Sequence, residues 1–298
     1  MIATPLLQTL IAVVEAGSFD RAAGRLGVTP PAVSQRMRAL AEAAGGPVFA
    51  RLQPAVPTEL GLRLLRHARD MAALDAALAA DIGRAAGPRP VAIALNADSL
   101  EVWAVPPLAA CPGFRFDIRI IDQDHSADAL RRGEVSAALT ATAEPVPGCD
   151  SHPLGALRYR ATCTPAFRDA HFAEGVTAET LARAPVLRFT ALDALQTRWL
   201  EQRTGQPLDP PAHQIAAPGP FVEATRQGLG WGLNPEPLIA GDMATGRLVE
   251  LVPETPLDTP LHWQVSRTMR DVLAPLTRAL RRAARTALVQ PGGAIDRP

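Results

Sequence analysis

The sequence contains no lysine, so all 30 of its basic residues are arginine. We attribute this bias to codon composition, since alanine, glycine and proline are also frequent, and not to a function of the guanidinium group. The chain has no formal net charge, because 30 acidic residues balance the basic ones. A protein that coats nucleic acid without specificity usually carries a large positive excess. Any nucleic-acid-binding site in this chain is therefore expected to be local.

Cysteine is scarce, and Cys111, Cys149 and Cys163 show no Cys-x-x-Cys spacing. The six histidines are scattered, so neither a disulfide framework nor a metal site is expected. No Ser-His-Asp arrangement or phosphate-binding loop is present, and GLGWGLNP lacks the strand-before, helix-after context of a dinucleotide fingerprint. These absences predict a protein that is not an enzyme and needs no cofactor.

Long apolar runs are also missing. The apolar segment between Leu6 and Val14 is short, has no basic residues before it, and runs into Glu15. No later stretch reaches the ~20 apolar residues that a membrane span needs. We therefore expect a cytoplasmic protein without a membrane partner.

Three short helical segments begin the chain. Apolar residues at helical spacing predict a first helix that ends at Gly17. Ser18 is a good N-cap for a second helix that ends at Gly27. Thr29 is the expected cap of a third helix, with Pro30 at its first position, where a missing N–H costs nothing.

The third predicted helix directs its polar side chains outward, because its apolar residues recur at spacings of four and three. Ser34, Gln35, Arg36 and Arg38 are left exposed. Two helices joined by a short turn, the second beginning with polar residues, form a helix-turn-helix arrangement that reads the major groove of DNA. Any small three-helix domain also has a polar face, so spacing alone leaves DNA binding and a purely structural domain open.

A long helix follows, with Thr58 as its expected cap and Ile82 near its end. From Leu64 onward its apolar residues alternate at spacings of three and four, interrupted at Asp75. This pattern is typical of a helix that pairs with a partner helix, although packing on its own domain is the alternative. The segment Gly83–Pro90 is expected to be a linker.

From Val91 onward short apolar segments alternate with helical ones, which predicts a parallel or mixed sheet covered by helices. Ser126 is expected to cap one of these helices, and a C-terminal helix is expected over Asp271–Val289, followed by a polar tail. The expected strands are Val91–Leu95, Phe114–Ile121, Val135–Leu139, Arg158–Cys163, Val186–Phe189, Gln214–Ala216, Trp231–Leu233, Leu248–Val252 and Leu261–Val265.

The run SFDRAAGRLGVTPPAVSQRMRAL, followed by GGPVFAR and PTELG, resembles the N-terminal head of the LysR-type transcriptional regulators. The resemblance implies a winged helix-turn-helix domain over residues 1–57 and a linker and dimerisation helix with hinge over 58–88. Pro30 stands where the family usually has glutamine, which removes one base contact. The DNA-contacting residues that the resemblance implies are Thr29, Pro31, Ala32, Ser34, Gln35, Arg36, Arg38 and Arg51.

The remainder of the chain is similar to the effector-binding domain of the same family, which resembles two-lobed periplasmic binding proteins. The implied fold is α/β multidomain, with the effector domain over residues 89–298. The first lobe is expected at about 89–160 and 267–290, and the second at about 161–266. Two strands near Arg160–Cys163 and Gln264–Arg267 are expected to connect them. In open α/β sheets small molecules bind beyond the carboxyl ends of the strands.

The stretches IALNADSLEVWAVPPL, LRRGEVSAALT and FVEATRQGLGWGLNP are most similar to the ArgP/LysG group, the regulators of basic amino-acid export. The implied effector is lysine or arginine, and in some cases histidine. Such a ligand needs an anion-binding group for its carboxylate and an acidic group for its cationic side chain. Acids after strands are often simple turn formers, and a helical tryptophan is often a core residue. The candidate effector-binding residues are Asn96, Asp98, Ser99, Trp103, Asp122, Asp124 and Thr140.

The resulting hypothesis is a homodimeric, and further tetrameric, regulator that binds double-stranded promoter DNA and senses lysine or arginine. It would control the gene of a basic amino-acid exporter and contact RNA polymerase. One alternative is a LysR-type regulator with another small-molecule effector. Others are an architectural or replication-control protein that binds DNA without a ligand, and a small-molecule-binding protein or enzyme.

Overall fold

The computed structural model describes residues 2–82 and 87–290 of the chain, without the side chains of Ala80 and Asp81. These residues form two compact units. The first contains residues 2–82, 87–95, 109–152 and 262–279, and the second contains 96–108, 153–261 and 280–290. Residues 83–86 of the expected linker and residues 291–298 of the expected tail lie outside the described part.

The first unit begins with a head of three helices and a hairpin. The first two helices end at Gly17 (φ 68°) and Gly27 (φ 63°), where glycine adopts the left-handed conformation that closes a helix. The hydroxyl of Ser18 accepts a hydrogen bond from the backbone N–H of Arg21, so the predicted cap is confirmed. The elements of the head are α1 (Thr4–Ala16), α2 (Phe19–Leu26), α3 (Pro30–Ala44), β1 (Phe49–Leu52) and β2 (Ala55–Pro57).

Thr29 occupies the N-cap position of α3, but its side chain makes no capping bond. The reason lies in the two prolines that follow it. Pro31 has no N–H to donate, and the N–H of Ala32 already bonds to the carbonyl of Thr29 at 3.0 Å. Thr29 is therefore the N-cap residue, as predicted, but it does not cap the helix with its side chain.

The long helix α4 (Glu59–Asp81) begins where it was predicted. The hydroxyl of Thr58 accepts a hydrogen bond of 3.0 Å from the N–H of Gly61, which confirms Thr58 as the cap. A Cβ atom at Gly61 would lie 2.1 Å from the carbonyl oxygen of Val48. Only glycine therefore allows this close approach between the first turn of α4 and the chain before the hairpin.

The two halves of α4 have different surroundings. Leu64 and Ala68 are buried in the apolar core of the head. Leu74, Leu78 and Ile82 are exposed at 44%, 60% and 62% of their surface. The first half of α4 thus packs on its own domain. The second half and the residue after it carry an exposed apolar stripe.

A sheet follows within the first unit, in the order β4, β3, β5 and the second part of β11. Strands β3 and β4 are parallel, β3 and β5 are parallel, and β11 is antiparallel to β5. Small buried residues, among them Ala94, Ala129 and Ala138, let the helix α7 pack closely on this sheet. The bounds are β3 (Arg89–Leu95), β4 (Phe114–Ile120), α7 (Ser126–Arg131), β5 (Ala137–Thr140) and β11 (Leu257–Ser266).

Ser126 is the first residue of α7 and not its cap, contrary to expectation, because His125 occupies the N-cap position. The Ser126 side chain is buried and its hydroxyl donates to the carbonyl oxygen of Leu139 on β5. A cap would require the hydroxyl to accept from the helix, so the contact with the sheet replaces the predicted role.

The second unit contains the remaining strands and most of the remaining helices. Strands β9 and β10 pair antiparallel with β6, and β7 and β8 pair in parallel. Trp199 and Trp231 contact each other in its core, with ring centroids 5.4 Å apart. The bounds are α5 (Ala97–Ser99), a π-helical turn (Leu100–Ala104), α6 (Val105–Ala109), β6 (Cys149–Cys163), α8 (Pro165–His171), α9 (Ala178–Arg183), β7 (Val186–Arg188), α10 (Leu195–Thr204), β8 (Ala212–Gln214), α11 (Pro218–Arg226), β9 (Gly232–Pro235), α12 (Glu236–Ala244) and β10 (Val249–Glu250).

Two strands, β6 and β11, are each divided between the units, between His152 and Pro153 and between Leu261 and His262. The segment Asn96–Leu108 belongs to the second unit. The expected lobe bounds and crossing strands stay predictions. A 3-10 turn (Arg267–Met269) and the helix α13 (Arg270–Ala287) close the described chain.

Candidate DNA-binding and effector sites

The expected DNA-contacting residues lie on α3 and on the hairpin. Because Val33, Met37 and Leu40 lie on one face of α3, they are buried in the core of the head. The residues between them lie at or near the surface. Thr29, Pro31, Gln35, Arg38 and Arg51 are exposed, and Ala32, Ser34 and Arg36 are partly buried.

Arg36 contacts the first helix of the head. Its Nη1 donates a hydrogen bond of 3.3 Å to Oγ1 of Thr9, and Thr9 donates in turn to the carbonyl oxygen of Pro5 at 2.7 Å. This chain of bonds links α3 to α1. Arg36 therefore helps to orient the recognition helix, whereas Gln35 and Arg38 are directed to solvent.

Arg51 lies on the wing, where it is the register partner of Val56 on the antiparallel strand. The aromatic rings of Phe19 and Phe49 anchor this hairpin to α2, with centroids 5.5 Å apart in an edge-to-face arrangement. The hairpin thus holds an exposed guanidinium on a strand that is fixed to the helical part of the head.

Asp98 forms the best-defined polar contact among the candidate effector residues. Its Oδ2 accepts a hydrogen bond of 2.7 Å from the hydroxyl of Tyr159, a buried residue on β6. Asp98 lies in the short helix α5, which begins directly after Asn96. Asn96 occupies the N-cap position, but its side chain makes no capping hydrogen bond. Tyr159 was not predicted, although it is the chain's only tyrosine.

A small cavity of about 20 Å³ lies beside Asp98 within the second unit. This is room for about one water molecule, far less than the ~300–1,000 Å³ of typical small-molecule sites, so a larger ligand requires the lining to move apart. Asp193 also borders it, but its two carboxylate oxygens accept hydrogen bonds of 3.0 Å from the N–H groups of Phe189 and Leu195. Asp193 therefore shapes the loop around the cavity. Phe189, Leu195, Gln196, Pro218, Phe221, Leu233 and Pro235 complete the lining.

Five buried side-chain oxygens of the second unit lack a hydrogen-bond partner within the described part of the chain. They are Oδ1 of Asn96, Oγ of Ser99, Oε1 of Gln196, Oδ1 of Asn234 and Oγ1 of Thr259. A buried acceptor without a donor is costly and uncommon in folded proteins. Gln196 and Asp98 both line the small cavity. Such a pair suits a ligand that donates hydrogen bonds and carries positive charge.

Trp103, the fourth candidate of this segment, is buried in the π-helical turn, and it does not line the cavity beside Asp98. Asp122 and Asp124, in the first unit, are exposed. Oδ1 of Asp122 accepts a hydrogen bond of 2.8 Å from the N–H of Asp124, which is a turn-forming contact. Their effector roles stay predictions.

Thr140 ends β5, as expected, and is completely buried. Its hydroxyl donates to the carbonyl of Thr142 at 3.0 Å and accepts from Nε2 of Gln264 at 3.0 Å. The same Nε2 donates to the carbonyls of Thr142 and Glu144, and Oε1 of Gln264 accepts from the N–H of Val146. Gln264 thus fastens the loop after β5. Because these contacts join residues more than a hundred positions apart, the sequence pattern did not reveal them.

Hydrogen bonds made by Arg66 and Asp70 link α4 to the sheet region of the first unit. The sequence pattern did not predict these contacts. Oδ2 of Asp70 accepts from Oγ1 of Thr268 at 3.0 Å, and Oδ1 accepts from Oγ of Ser136 at 3.5 Å. Arg66, one turn earlier, donates to Oγ of Ser266 at 3.2 Å. Burial raises the pKa of the Asp70 carboxyl, and the hydrogen bond from Thr268 opposes this shift.

The described residues contain no group of three or more potential metal ligands. Within the same part of the chain no helix is long and apolar enough to span a membrane. The arrangement therefore combines a winged helix-turn-helix head, a connecting helix and an α/β region with an acid-lined cavity. This combination defines a DNA-binding regulator with a domain for a small molecule.

Comparison with known proteins agrees with this class. Residues 5–62 match the bacterial regulatory helix-turn-helix family of the LysR type, and residues 103–289 match the LysR substrate binding domain. The chain belongs to the LysR family of transcriptional regulators. The predicted fold class, with its head, linker helix and α/β effector domain, is thereby confirmed.

Three full-length relatives illustrate the similarity. The regulator ArgP of Pseudomonas aeruginosa is 40% identical over 294 residues, which cover 97% of this chain and 98% of that protein. The crystal structure of ArgP from Mycobacterium tuberculosis has a TM-score of 0.86 and 38% identity, covering 96% of this chain and 99% of that one. The structure of LysG from Corynebacterium glutamicum with its bound effector arginine has a TM-score of 0.75 and 38% identity, covering 97% and 100%.

Proposed function

We propose that this regulator senses a basic amino acid, lysine or arginine, through its α/β domain. The observation that carries the proposal is that Asp98, whose carboxylate accepts a hydrogen bond from Tyr159, and Gln196, whose buried Oε1 lacks a partner among the described residues, line the same small cavity. The similarity to ArgP and LysG proteins, one of which holds arginine as its effector, supports the same ligand class.

In this proposal Asp98 receives the cationic end of the ligand, with Tyr159 holding the carboxylate in place. An ammonium or guanidinium group supplies the donor that Gln196 lacks, and charge-assisted hydrogen bonds of this kind are the stronger class. Asn96 and Ser99 are proposed to bind the amino-acid moiety, since their buried oxygens also lack donors.

The head is proposed to bind promoter DNA as a homodimer, with α3 in the major groove. Gln35 is the proposed reader of base edges, and Arg38 and Arg51 the proposed phosphate contacts. The exposed Leu74, Leu78 and Ile82 stripe of α4 supports pairing of two copies. Half-sites then lie one helical turn, ~34 Å, or a multiple of it apart.

The proposed target is the gene of a basic amino-acid exporter, regulated in the cytoplasm. The assembly of dimers into a tetramer and a contact with RNA polymerase stay predictions. The ligand shifts DNA binding only by its differential affinity for two arrangements of the protein, which for typical allosteric coupling amounts to ~1–3 kcal/mol.

A thermal-shift screen of the twenty amino acids tests the ligand class, because a ligand that binds only the folded state raises the melting temperature. We expect lysine and arginine to raise it and the neutral and acidic amino acids to leave it unchanged. Lysine and arginine should also change the footprint of the protein on its promoter. A response to a different class of molecule would make this a LysR-type regulator with another effector.

A further inference from the structure

A second, larger cavity lies within the first unit and contains none of the residues proposed to bind DNA or the amino acid. Helices α1 and α4 form its walls, and strands β3 and β4 form its floor. Its volume is about 610 Å³. Its charged lining consists of Arg69, Arg115, Arg119, Glu15 and Asp117.

The floor owes its charge to the alternation in FRFDIRI, the sequence of β4. Residues two apart in a strand project from the same face, so Arg115, Asp117 and Arg119 share one face, and all three line the cavity. The basic residues on this face outnumber the single acid. The same alternation predicted this segment to be a strand. The charged face of β4 has no role in the proposed sensing of an amino acid.

Arg69, on the wall formed by α4, is partly buried, and its positive charge has no close carboxylate partner among the described residues. Among the described residues, Nη1 of Arg69 donates a hydrogen bond to the carbonyl oxygen of Glu134 at 3.5 Å, the upper limit for such a bond. No carboxylate of the described residues lies within 4.0 Å of its guanidinium. Burial, and then the nearness of Arg119, lower the pKa of Arg69, while Glu15, Asp117 and Glu134 oppose that shift.

The acids around the cavity are engaged elsewhere or lie at long distances. Glu15 lies 3.4 Å from Arg25, and Oε1 of Glu134 accepts from Nε of Arg132 at 2.7 Å. Arg119 is 3.8 Å from Asp117 and 3.6 Å from Oε2 of Glu134, both beyond the usual hydrogen-bond length. The cavity therefore holds more positive charge than its own acids neutralise.

We propose that this cavity is a second ligand site, for a small aliphatic dicarboxylate. One carboxylate lies between Arg69 and Arg119, and the other meets Arg115 nearer the surface. Guanidinium groups bind carboxylates with paired hydrogen bonds, which favours an organic acid over a neutral ligand. The apolar side chains of Ile11 and Val14 contact the carbon chain.

The location gives such a ligand a regulatory role. Ile11 and Val14 belong to α1 of the DNA-binding head, whereas Arg115 and Arg119 belong to the sheet of the α/β region. A dicarboxylate that bridges them stabilises one placement of the head on this sheet. DNA binding then responds to an organic acid in addition to the amino acid.

The test is isothermal titration of the full-length protein with glutarate, accompanied by its melting temperature. We expect saturable binding and a rise in melting temperature for the wild type. Arg69→Gln and Arg119→Gln each remove a charge-assisted contact and should weaken glutarate binding by about tenfold or more. Arg63→Gln is the matched control, because Arg63 is an exposed arginine of α4 that does not line the cavity, and it should bind like the wild type.

Several outcomes overturn the proposal: no saturable glutarate binding by the wild type, equal binding by Arg69→Gln and Arg119→Gln, or equal loss in Arg63→Gln. Butyrate or inorganic phosphate binding as tightly as glutarate also contradicts the dicarboxylate assignment. The response of Arg69→Gln to arginine is measured in parallel. It should be retained, so a failure of the second site is distinguishable from a failure of amino-acid sensing.

Discussion

The hydroxyl of Tyr159 donates a hydrogen bond of 2.7 Å to the carboxylate of Asp98, across 61 positions of sequence. Tyr159 lies on β6, and Asp98 lies in the short helix that follows β3. The bond fixes one carboxylate oxygen, so the carboxylate has a defined orientation before any ligand arrives. Preorganisation of this kind reduces the cost of binding.

Asp98→Asn is expected to weaken arginine binding by about tenfold or more, because a hydrogen bond to a charged partner contributes ~1.5–3 kcal/mol. Tyr159→Phe should reduce the affinity less and lower the free energy of unfolding by about 1 kcal/mol. Titration calorimetry with arginine measures the affinity of both variants, and urea titration measures the change in the free energy of unfolding. Glu201→Gln, an exposed change on α10, is the control. Unaltered arginine affinity in Asp98→Asn would remove Asp98 from the site.

Arg38→Ala and Gln35→Ala should affect DNA binding differently. Loss of a phosphate contact weakens binding to all duplexes and reduces the slope of log K against log salt by about 1. Loss of a base contact costs ~1–3 kcal/mol of discrimination at one position of the operator. Fluorescence anisotropy with specific and random duplexes at several salt concentrations separates them. If Gln35→Ala kept full sequence preference, base reading by Gln35 would be disproved.

Arg36→Ala is expected to weaken specific DNA binding as well, but by a structural route. The substitution breaks the bond from Arg36 to Thr9, which links α3 to α1. Thr9→Val should therefore reproduce part of the effect without touching the recognition helix. The same anisotropy measurement checks this, and a full-affinity Thr9→Val protein would point instead to direct DNA contact by Arg36.

Asp70→Asn should change the pH dependence of stability. The native pKa of Asp70 is raised by burial above its value in the unfolded chain, which is about 3.9. The native state therefore keeps this proton to higher pH, so the contribution of Asp70 to stability falls as pH rises between the unfolded and native pKa values. The difference in unfolding free energy between wild type and Asp70→Asn should decrease through this range and level off above it. Urea titrations from pH 3 upward, a range chosen around the ~3.9 reference value, measure it. A difference that rose with pH would contradict the assignment.

Gly133→Ala should be among the more damaging glycine substitutions of the first unit. Gly133 has φ +66°, and an added Cβ would lie 2.3 Å from Cδ of Arg66 on α4. Left-handed backbone costs a non-glycine residue ~1–2 kcal/mol, and overpacking adds ~1–3 kcal/mol. Gly148→Ala is the control, since it has φ +84° but no atom within 4 Å of the added Cβ. Equal urea midpoints for the two variants would show that the Arg66 side chain does not clash with a Cβ atom at position 133.

The sequence allowed the prediction of features that depend on a few neighbouring residues. The helix ends at Gly17 and Gly27 and the caps at Ser18 and Thr58 follow from local chemistry, because the groups that bond lie within four positions of each other. Ser126 shows where such reasoning stops. A serine before a helical pattern suits a cap equally well, and only the nearby carbonyl of Leu139 decided its role.

The candidate sites were predictable only in part for the same reason. Asp98 was found because it follows a strand, but its partner Tyr159 and its neighbour Gln196 come from distant segments. Asp70 lies one turn after Arg66 on α4, and its partner Thr268 is 198 positions away. No pattern within one helix or strand indicates which remote hydroxyl a buried acid will meet.

Gln264 spans the turn from Thr140 to Val146 with one amide group, whose Nε2 donates toward three oxygens and whose Oε1 accepts from the N–H of Val146. Glutamate, nearly identical in shape, cannot replace it, because the three oxygens that face Nε2 would then face another acceptor. The N–H of Val146 is therefore expected to exchange slowly with deuterated solvent despite lying outside any strand, and to exchange as fast as an open loop once residue 264 is changed.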